Sequence, residues 1–219
     1  MKLYMNAMSP NVRRVRLTAA VLGIDLEEQK IDFAKGEQQA SEYLVLNPNG
    51  AVPTLVDGDL ALTESRAIMQ YLASKKPESG LLPRDEKVRA DVTRWQFWDA
   101  AHFSPQLGMV FFEKVVKPMI GRGAPDAQRI EEALANFRRY GAVLNRRLDG
   151  NEYVVGHALT LADLTLASSL CTPSRPRCRS AISPTSRRGS RASARSTHGR
   201  NRHPRQSPAR DVTTMAGCC

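Results

Sequence analysis

The stretch NPNGAVPTLVDGDLALTESRAIMQYLA, residues 47–73, holds a turn, a hairpin and a helix start in close succession. Val52 to Val56 is a short β-rich run, Asp57 and Gly58 give the turn signal, and Leu60 to Thr63 returns. Helical periodicity then resumes through Ile68, Tyr71 and Leu72. A proline after a valine at a strand entrance has no amide for the ladder, so Pro53 belongs at an edge or a turn. If the Val52–Pro53 bond is cis, it turns the N–H and C=O of Val52 outward, ready to pair with an extended peptide-like ligand. Glu64 and Ser65 at the helix start are either a capping pair or a cradle in which hydroxyl and amides take a ligand carboxylate while Glu64 meets its ammonium.

Working outward, Lys2 to Met5 reads as a buried strand, and SPNVRRVRLTAAVLG puts Val12, Val15, Leu17, Ala19 and Leu22 on a helical face closed by Gly23. Glu27 to Asp32 reads as a second strand and SEYLVL as one helical turn. The order β-α-β-α-β-β-α predicts a small mixed sheet with helices packed on it. After the punctuated linker KKPESGLLPRD everything is helical in pattern. One helix starts near Glu86 and continues or bends at Pro105. A second, Asp126 to Leu148, lines up Ile130, Leu134, Phe137, Gly141, Leu144 and Leu148. A third opens at Thr160, where TLAD is a capping box: the Thr160 hydroxyl caps the amide three residues on and Asp163 reaches back, which makes Asp163 structural. The domains expected are 1–76, α/β; 77–85, linker; 86–170, a partial helical domain; and 171–219, a disordered tail.

The net charge of +10 suggests a nucleic-acid or membrane binder until its distribution is read. Residues 1–170 balance 21 basic against 21 acidic side chains, whereas residues 171–219 hold 11 Arg and one acid, Asp211. All four cysteines, Cys171, Cys178, Cys218 and Cys219, are also in that tail. The body is therefore neither a disulfide scaffold nor a thiolate metal site, and with no apolar run near the ~20 residues of a membrane span it reads as soluble and cytoplasmic. His102 and His157 are too isolated to suggest a metal.

Chemistry concentrates at AMSPNVRRV, between the first strand and helix. Ser9 fits an N-cap and Pro10 the first helical position. A hydroxyl at a helix N-terminus, aided by the dipole, also stabilises an anion such as a thiolate. Asn11 is a second candidate donor, and Arg13, Arg14 and Arg16 read as a solvated basic face. Trp95 and Trp98 read as core or dimer packing.

Taken together, MSPNVRRVRL, NPNGAVPTLVDGDLALTESRAIMQYLA and GHALTLADLTLA resemble a cytosolic glutathione transferase, most similar to bacterial members of the Ser-type phi and theta-like branches. The resemblance spans residues 1 to about 170. It implies a thioredoxin-like α/β domain followed by an all-α domain, a homodimer joined through the Glu64 and Glu86 helices, and glutathione as co-substrate with no other cofactor. It implies that Ser9 donates to the glutathione sulfur, so that the thiol ionises below its free value of about 8.5. It further implies that Val52 pairs by backbone with the cysteinyl unit, that Pro53 is cis, and that Glu64 and Ser65 hold the γ-glutamyl end. The basic pair that usually holds the glycine carboxylate aligns with Gln38 and Gln39, two amides without charge, and a commonly found Gln is Ala51. The small hydrophobic electrophile is expected between the domains, against Met8, His102, Phe103 and Met109, each of which has core packing as its alternative reading. With Ser9, Pro10, Asn11 and Val12 where a C-x-x-C would stand, mixed-disulfide chemistry is excluded at this loop.

Two other classes stand beside the transferase: a glutathione or ligand carrier with little turnover, favoured by Gln38 and Gln39, and an Arg-rich nucleic-acid binder on a transferase scaffold. The resemblance argues against membrane and nucleic-acid partners. Beyond Leu170 the only aliphatics are Ile182 and Val212, and Arg, Ser, Pro, Ala, Thr and Gly dominate, as in a GC-rich gene read out of frame. A frame slip near codons 169–172 is the expectation, leaving the stripe around Phe137 and Leu144 partly uncovered.

Overall fold

The structure, a computed structural model, describes residues 1–170; the expected disordered tail, 171–219, lies outside the described residues. The first strand, β1 (Lys2–Met5), alternates buried Leu3 and Met5 with half-buried neighbours. Helix α1 (Pro10–Leu22) is capped by Ser9 and closed by Gly23, whose φ of 63° lets its N–H turn back to the Ala19 and Ala20 carbonyls. Strand β2 (Glu27–Lys30) is exposed along its length. It ends two residues earlier than the sequence suggests. Ile31 turns into the core and Asp32 accepts from the Ala34 N–H at 3.0 Å, opening a 3-10 turn at Phe33–Lys35.

A second 3-10 turn, Glu37–Gln39, leads into α2 (Ser41–Leu46). The hairpin is β3 (Thr54–Asp57) and β4 (Leu60–Leu62) around Gly58 at φ 63°. Val52 and Pro53 precede the ladder rather than joining it. Helix α3 (Ser65–Ser74) completes the expected order and buries Ile68, Met69 and Leu72. The sheet runs β2-β1-β3-β4, with β1 and β2 parallel and the other pairs antiparallel.

The helical part opens with α4 (Glu86–Trp98), capped by Asp85, which accepts from the Val88 N–H at 2.9 Å. The helix neither stops nor breaks at Pro105. It widens into a π turn, Asp99–Phe103, then resumes as α5 (Ser104–Phe111), widens again at Phe112–Val116 and ends in α6 (Lys117–Met119). Each π turn stands just before a proline, Pro105 or Pro118. A mid-helix proline has no N–H for the carbonyl four residues back and its ring crowds that carbonyl, and the wider turn accommodates both defects.

Helix α7 (Ala127–Leu148), capped by Asp126, and α8 (Leu161–Leu170) complete the described chain. Along α7 the buried positions are Ile130, Ala133, Phe137, Gly141 and Leu144, while Leu134 is only half-buried. The expectation of an uncovered stripe is corrected here. Phe137 and Leu144 are fully buried, Phe137 stacking on Phe103 at 4.9 Å. Burial of Leu161, Ala162, Leu164, Thr165, Leu166 and Ser168 goes all round α8, which makes it the central helix of its layer. Its start departs from the expected box in one bond. Asp163 does reach back to the Thr160 N–H at 2.8 Å, but the Thr160 hydroxyl accepts from Ala162, two residues on, at 3.3 Å. The other Asp163 oxygen takes the Val154 N–H at 2.7 Å and ties in the preceding loop.

Candidate functional site

Strand pairing gathers the candidate residues before any side chain is considered. Met5 stands opposite Lys30, Tyr4 opposite Thr54, and Leu55 opposite Leu62. The segments leaving β1, β2 and β4 and the one entering β3 therefore emerge at one end of the sheet. They carry Ser9, then Gln38 and Gln39, then Glu64 and Ser65, and finally Val52 and Pro53.

The β1–α1 loop is fixed by Asn6, whose side chain accepts from the Met8 N–H at 3.1 Å and donates to the Ile31 carbonyl at 2.9 Å. This leaves Ser9 half-buried at the head of α1, its Oγ accepting from the Val12 N–H at 3.4 Å. Because the oxygen accepts in that bond, the hydroxyl proton stays available to an acceptor in front of the helix.

The β3 entrance is held from behind. Tyr43 Oη donates to the Ala51 carbonyl at 2.5 Å and contacts Thr54 Oγ1 at 2.9 Å, while buried Asn47 donates to the same two groups at 2.7 and 3.1 Å. Burial holds the Tyr43 phenol above its ordinary ionisation range, so it stays a donor. The Val52–Pro53 bond is cis. Gly50, at φ 56°, is the residue that lets the 3-10 turn approach, since a Cβ there would meet Gln39 Nε2 at 2.5 Å and the Gln38 carbonyl at 3.0 Å. Sequence reasoning passed over Gly50, although NG before a strand proline was the available signal.

Glu64 does not cap α3 through its side chain. Its backbone lies at φ 65°, uncommon for any residue but glycine, and such positions concentrate at functional sites. The carboxylate is exposed, while Ser65 beside it is buried and accepts from Arg14 Nη1 at 3.2 Å.

Here the expected solvated basic face holds for exposed Arg16 but not for buried Arg14. Arg16 pairs with Glu28 at 2.7 Å and Arg13 donates to the Ser168 carbonyl at 3.3 Å. Arg14 is 1 % exposed. Its Nη1 donates to Asn11 Oδ1 at 2.5 Å as well as to Ser65, and its Nη2 to Ser104 Oγ at 2.9 Å, Ser169 Oγ at 2.8 Å and Asp99 Oδ2 at 3.4 Å. Arg66 pairs with the same Asp99 oxygen. Loss of hydration lowers the Arg14 pKa to about 10 despite Asp99, and the charges of Arg66 and Arg13 push the same way.

The expected electrophile wall divides. Met8 and Met109 are exposed at 49 % and 37 %, whereas Phe103 is wholly buried, stacked between Trp98 at 5.5 Å and Phe137 at 4.9 Å. Phe103 is core, the alternative already open for it, and not part of the wall. The His102 ring stacks on Tyr140 of α7 at 5.2 Å while the residue stays exposed. Large apolar side chains that the sequence reading left out are exposed: Phe33, just after β2, and Phe111, Val115 and Met119 along the long helix. Among the described residues no group of His, Cys, Asp and Glu could hold a metal ion, and no helix is long and apolar enough to cross a membrane.

Residues 1–74 match the family model for the glutathione S-transferase N-terminal domain, and residues 106–177 that for the C-terminal domain. The chain is 38% identical over 184 residues to glutathione S-transferase 3 of Zea mays, covering 81% of this chain and 82% of the maize one. Glutathione S-transferase I from maize, solved in complex with an atrazine glutathione conjugate, superposes with a TM-score of 0.71 at 38% identity, over 82% of this chain and 84% of that one. Glutathione transferase F7 from Populus trichocarpa superposes at 0.72 with 28% identity, over 77% and 80%.

Proposed function

The chain belongs to the glutathione S-transferase family, and from that membership we propose a role for each residue at the gathered end of the sheet. Glutathione lies across the strand ends. The Ser9 hydroxyl donates to its sulfur while accepting the Val12 N–H, so the forming thiolate meets both a donor and the positive end of α1. Val52 pairs by backbone with the cysteinyl unit beside Pro53. Ser65 and the first amides of α3 take the γ-glutamyl carboxylate, and Glu64 meets the ammonium. Gln38 and Gln39 face the glycine carboxylate with hydrogen bonds and no charge.

The observation that carries this reading is the convergence of the segments bearing Ser9, Val52, Pro53, Glu64 and Ser65 at one end of the sheet through strand register. The thiolate attacks an electrophilic carbon; a carbon–sulfur bond forms and the leaving group departs with its electron pair. With a hydroperoxide, attack on oxygen releases the alcohol, and a second glutathione converts the sulfenic intermediate to disulfide and water. Met8, Phe33, Met109 and Phe111 are the exposed apolar side chains we assign to the electrophile, with His102 as a border at most and Phe103 behind them. The conjugate held by the maize relative suggests a flat, apolar aromatic substrate.

The functional units are 1–76 and 86–170 joined by 77–85, in the cytoplasm, as a homodimer through α3 and α4. Phe97, 70 % exposed on α4, supports that face. The tail we take as the out-of-frame product of a bacterial gene; an uninterrupted frame in independent clones would remove that explanation. Retention on glutathione-agarose with conjugation that drops about 100-fold or more in Ser9→Ala is the expected result. Retention without Ser9-dependent turnover would instead favour a carrier, the reading to which the uncharged Gln38 and Gln39 lean.

A further inference from the structure

We propose that Arg14 is a positioning residue for the transferase reaction, through which the helical domain fixes Asn11 and Ser65 on either side of the thiol site. The inference rests on the site reading above. One guanidinium spans both domains: Nη1 holds Asn11 and Ser65 at 2.5 and 3.2 Å, and Nη2 is held by Asp99, Ser104 and Ser169. Asn11 is two residues from Ser9 on the first turn of α1, and Ser65 is the first residue of α3. The two helix starts that we assign to sulfur and to γ-glutamyl carboxylate are thus pinned to one planar, rigid group.

The anchoring side has its own bracing. Ser104 donates to Asp99 at 2.8 Å and stands 2.8 Å from Ser169, which in turn reaches Asp99 at 3.1 Å. Two guanidiniums, Arg14 and Arg66, face the single carboxylate of Asp99, and the Nε of each is buried with no hydrogen-bond partner. The cluster therefore carries one excess positive charge and more donors than acceptors, beneath a site that must stabilise an anion. With Asn11 Oδ1 committed to Arg14, the Asn11 amide donors are turned away from the guanidinium. Neither Ser104 nor Ser169 belongs to a helix that carries a glutathione residue.

The test uses the full-length chain with Arg14→Lys, Ser169→Ala, Asn11→Ala and the Ser169→Ala/Asn11→Ala pair. The readouts are KM for glutathione, kcat, thermal melting, and the pH at which bound glutathione gains thiolate ultraviolet absorbance. Lysine keeps the charge but cannot hold two groups in a fork. Expected are a rise of about threefold to tenfold in KM for glutathione with each serine or asparagine change, thiolate formation at higher pH, and a double variant less impaired than the product of the singles. Should Arg14→Lys fail to fold, Ser169→Ala decides alone, because it removes one anchor and touches no site residue. Wild type without Ser9-dependent conjugation sinks the transferase reading and this one together. Active wild type, with variants that melt lower yet match it in KM and thiolate pH, shows a purely structural Arg14 and sinks this inference only.

Discussion

A phenylalanine inside a stacked aromatic column and a methionine at 49 % exposure obey different physics, although the sequence set both against the electrophile. Phe103→Ala empties a site with no solvent access and is expected to cost about 3–5 kcal/mol in denaturant unfolding. Met8→Ala removes a side chain that already faces water. It should leave the unfolding midpoint nearly unchanged while raising KM for an apolar electrophile severalfold in steady-state assays. Residue types at the site were legible in the sequence: Ser9, Val52, Pro53, Glu64 and Ser65 all emerge at one sheet end. The partners of Arg14 other than Asn11 were not, since they come from 51 to 155 residues away. Periodicity did contain a hint. Asn11, Arg14, Val15 and Thr18 share one face of α1, and Thr18 Oγ1 donates to the Arg14 carbonyl at 2.9 Å. A run of three arginines masked it by suggesting solvent.

Among the elements, the long helix from Glu86 to Met119 departs furthest from a regular pattern. Its second π turn delivers Glu113 to a fully buried position, where it accepts from Lys117 Nζ at 2.7 Å and from the Asp126 N–H at 2.9 Å, with Arg129 at 3.6 Å. One carboxylate thereby clamps the end of the long helix to the start of α7. The Lys117 and Asp126 bonds hold its pKa below the ordinary carboxylate range. The stabilisation is therefore complete above the unfolded carboxyl pKa of about 4.3 and is lost as pH falls through the lower folded value. Glu113→Gln should lower the melting midpoint by several degrees at pH 7, and a plot of midpoint against pH should lose part of its acid limb. Helix existence was legible from apolar spacing. The π turns were not, because a 3.6-residue template has no place for an extra residue; Pro105 and Pro118 were the only marks they left.

For the whole molecule, the composition misleads unless it is divided. Residues 1–170 carry no net charge, and the formal +10 belongs to the tail. A membrane or nucleic-acid role inferred from the total would be a statement about residues 171–219 alone. The body instead offers Phe97 at 70 % exposure and Val45 at 83 %, on α4 and α2. Phe97→Glu is expected to convert a dimer to a monomer in light scattering at micromolar concentration with little change in helix content; a dimer that persists would place the interface elsewhere.

The contacts that join α1 to α8 also set a schedule. Arg13 and Arg14 reach Ser168 and Ser169, each 155 residues later in the chain. A ribosome adding roughly 5–20 residues per second needs roughly 10–30 s to supply that distance. From the completion of α3 onward the thioredoxin-like unit is already made, yet its guanidinium lacks the last of its acceptors. A nascent chain of this protein cannot complete the side-chain contacts of its first helix until it has nearly finished its last described one.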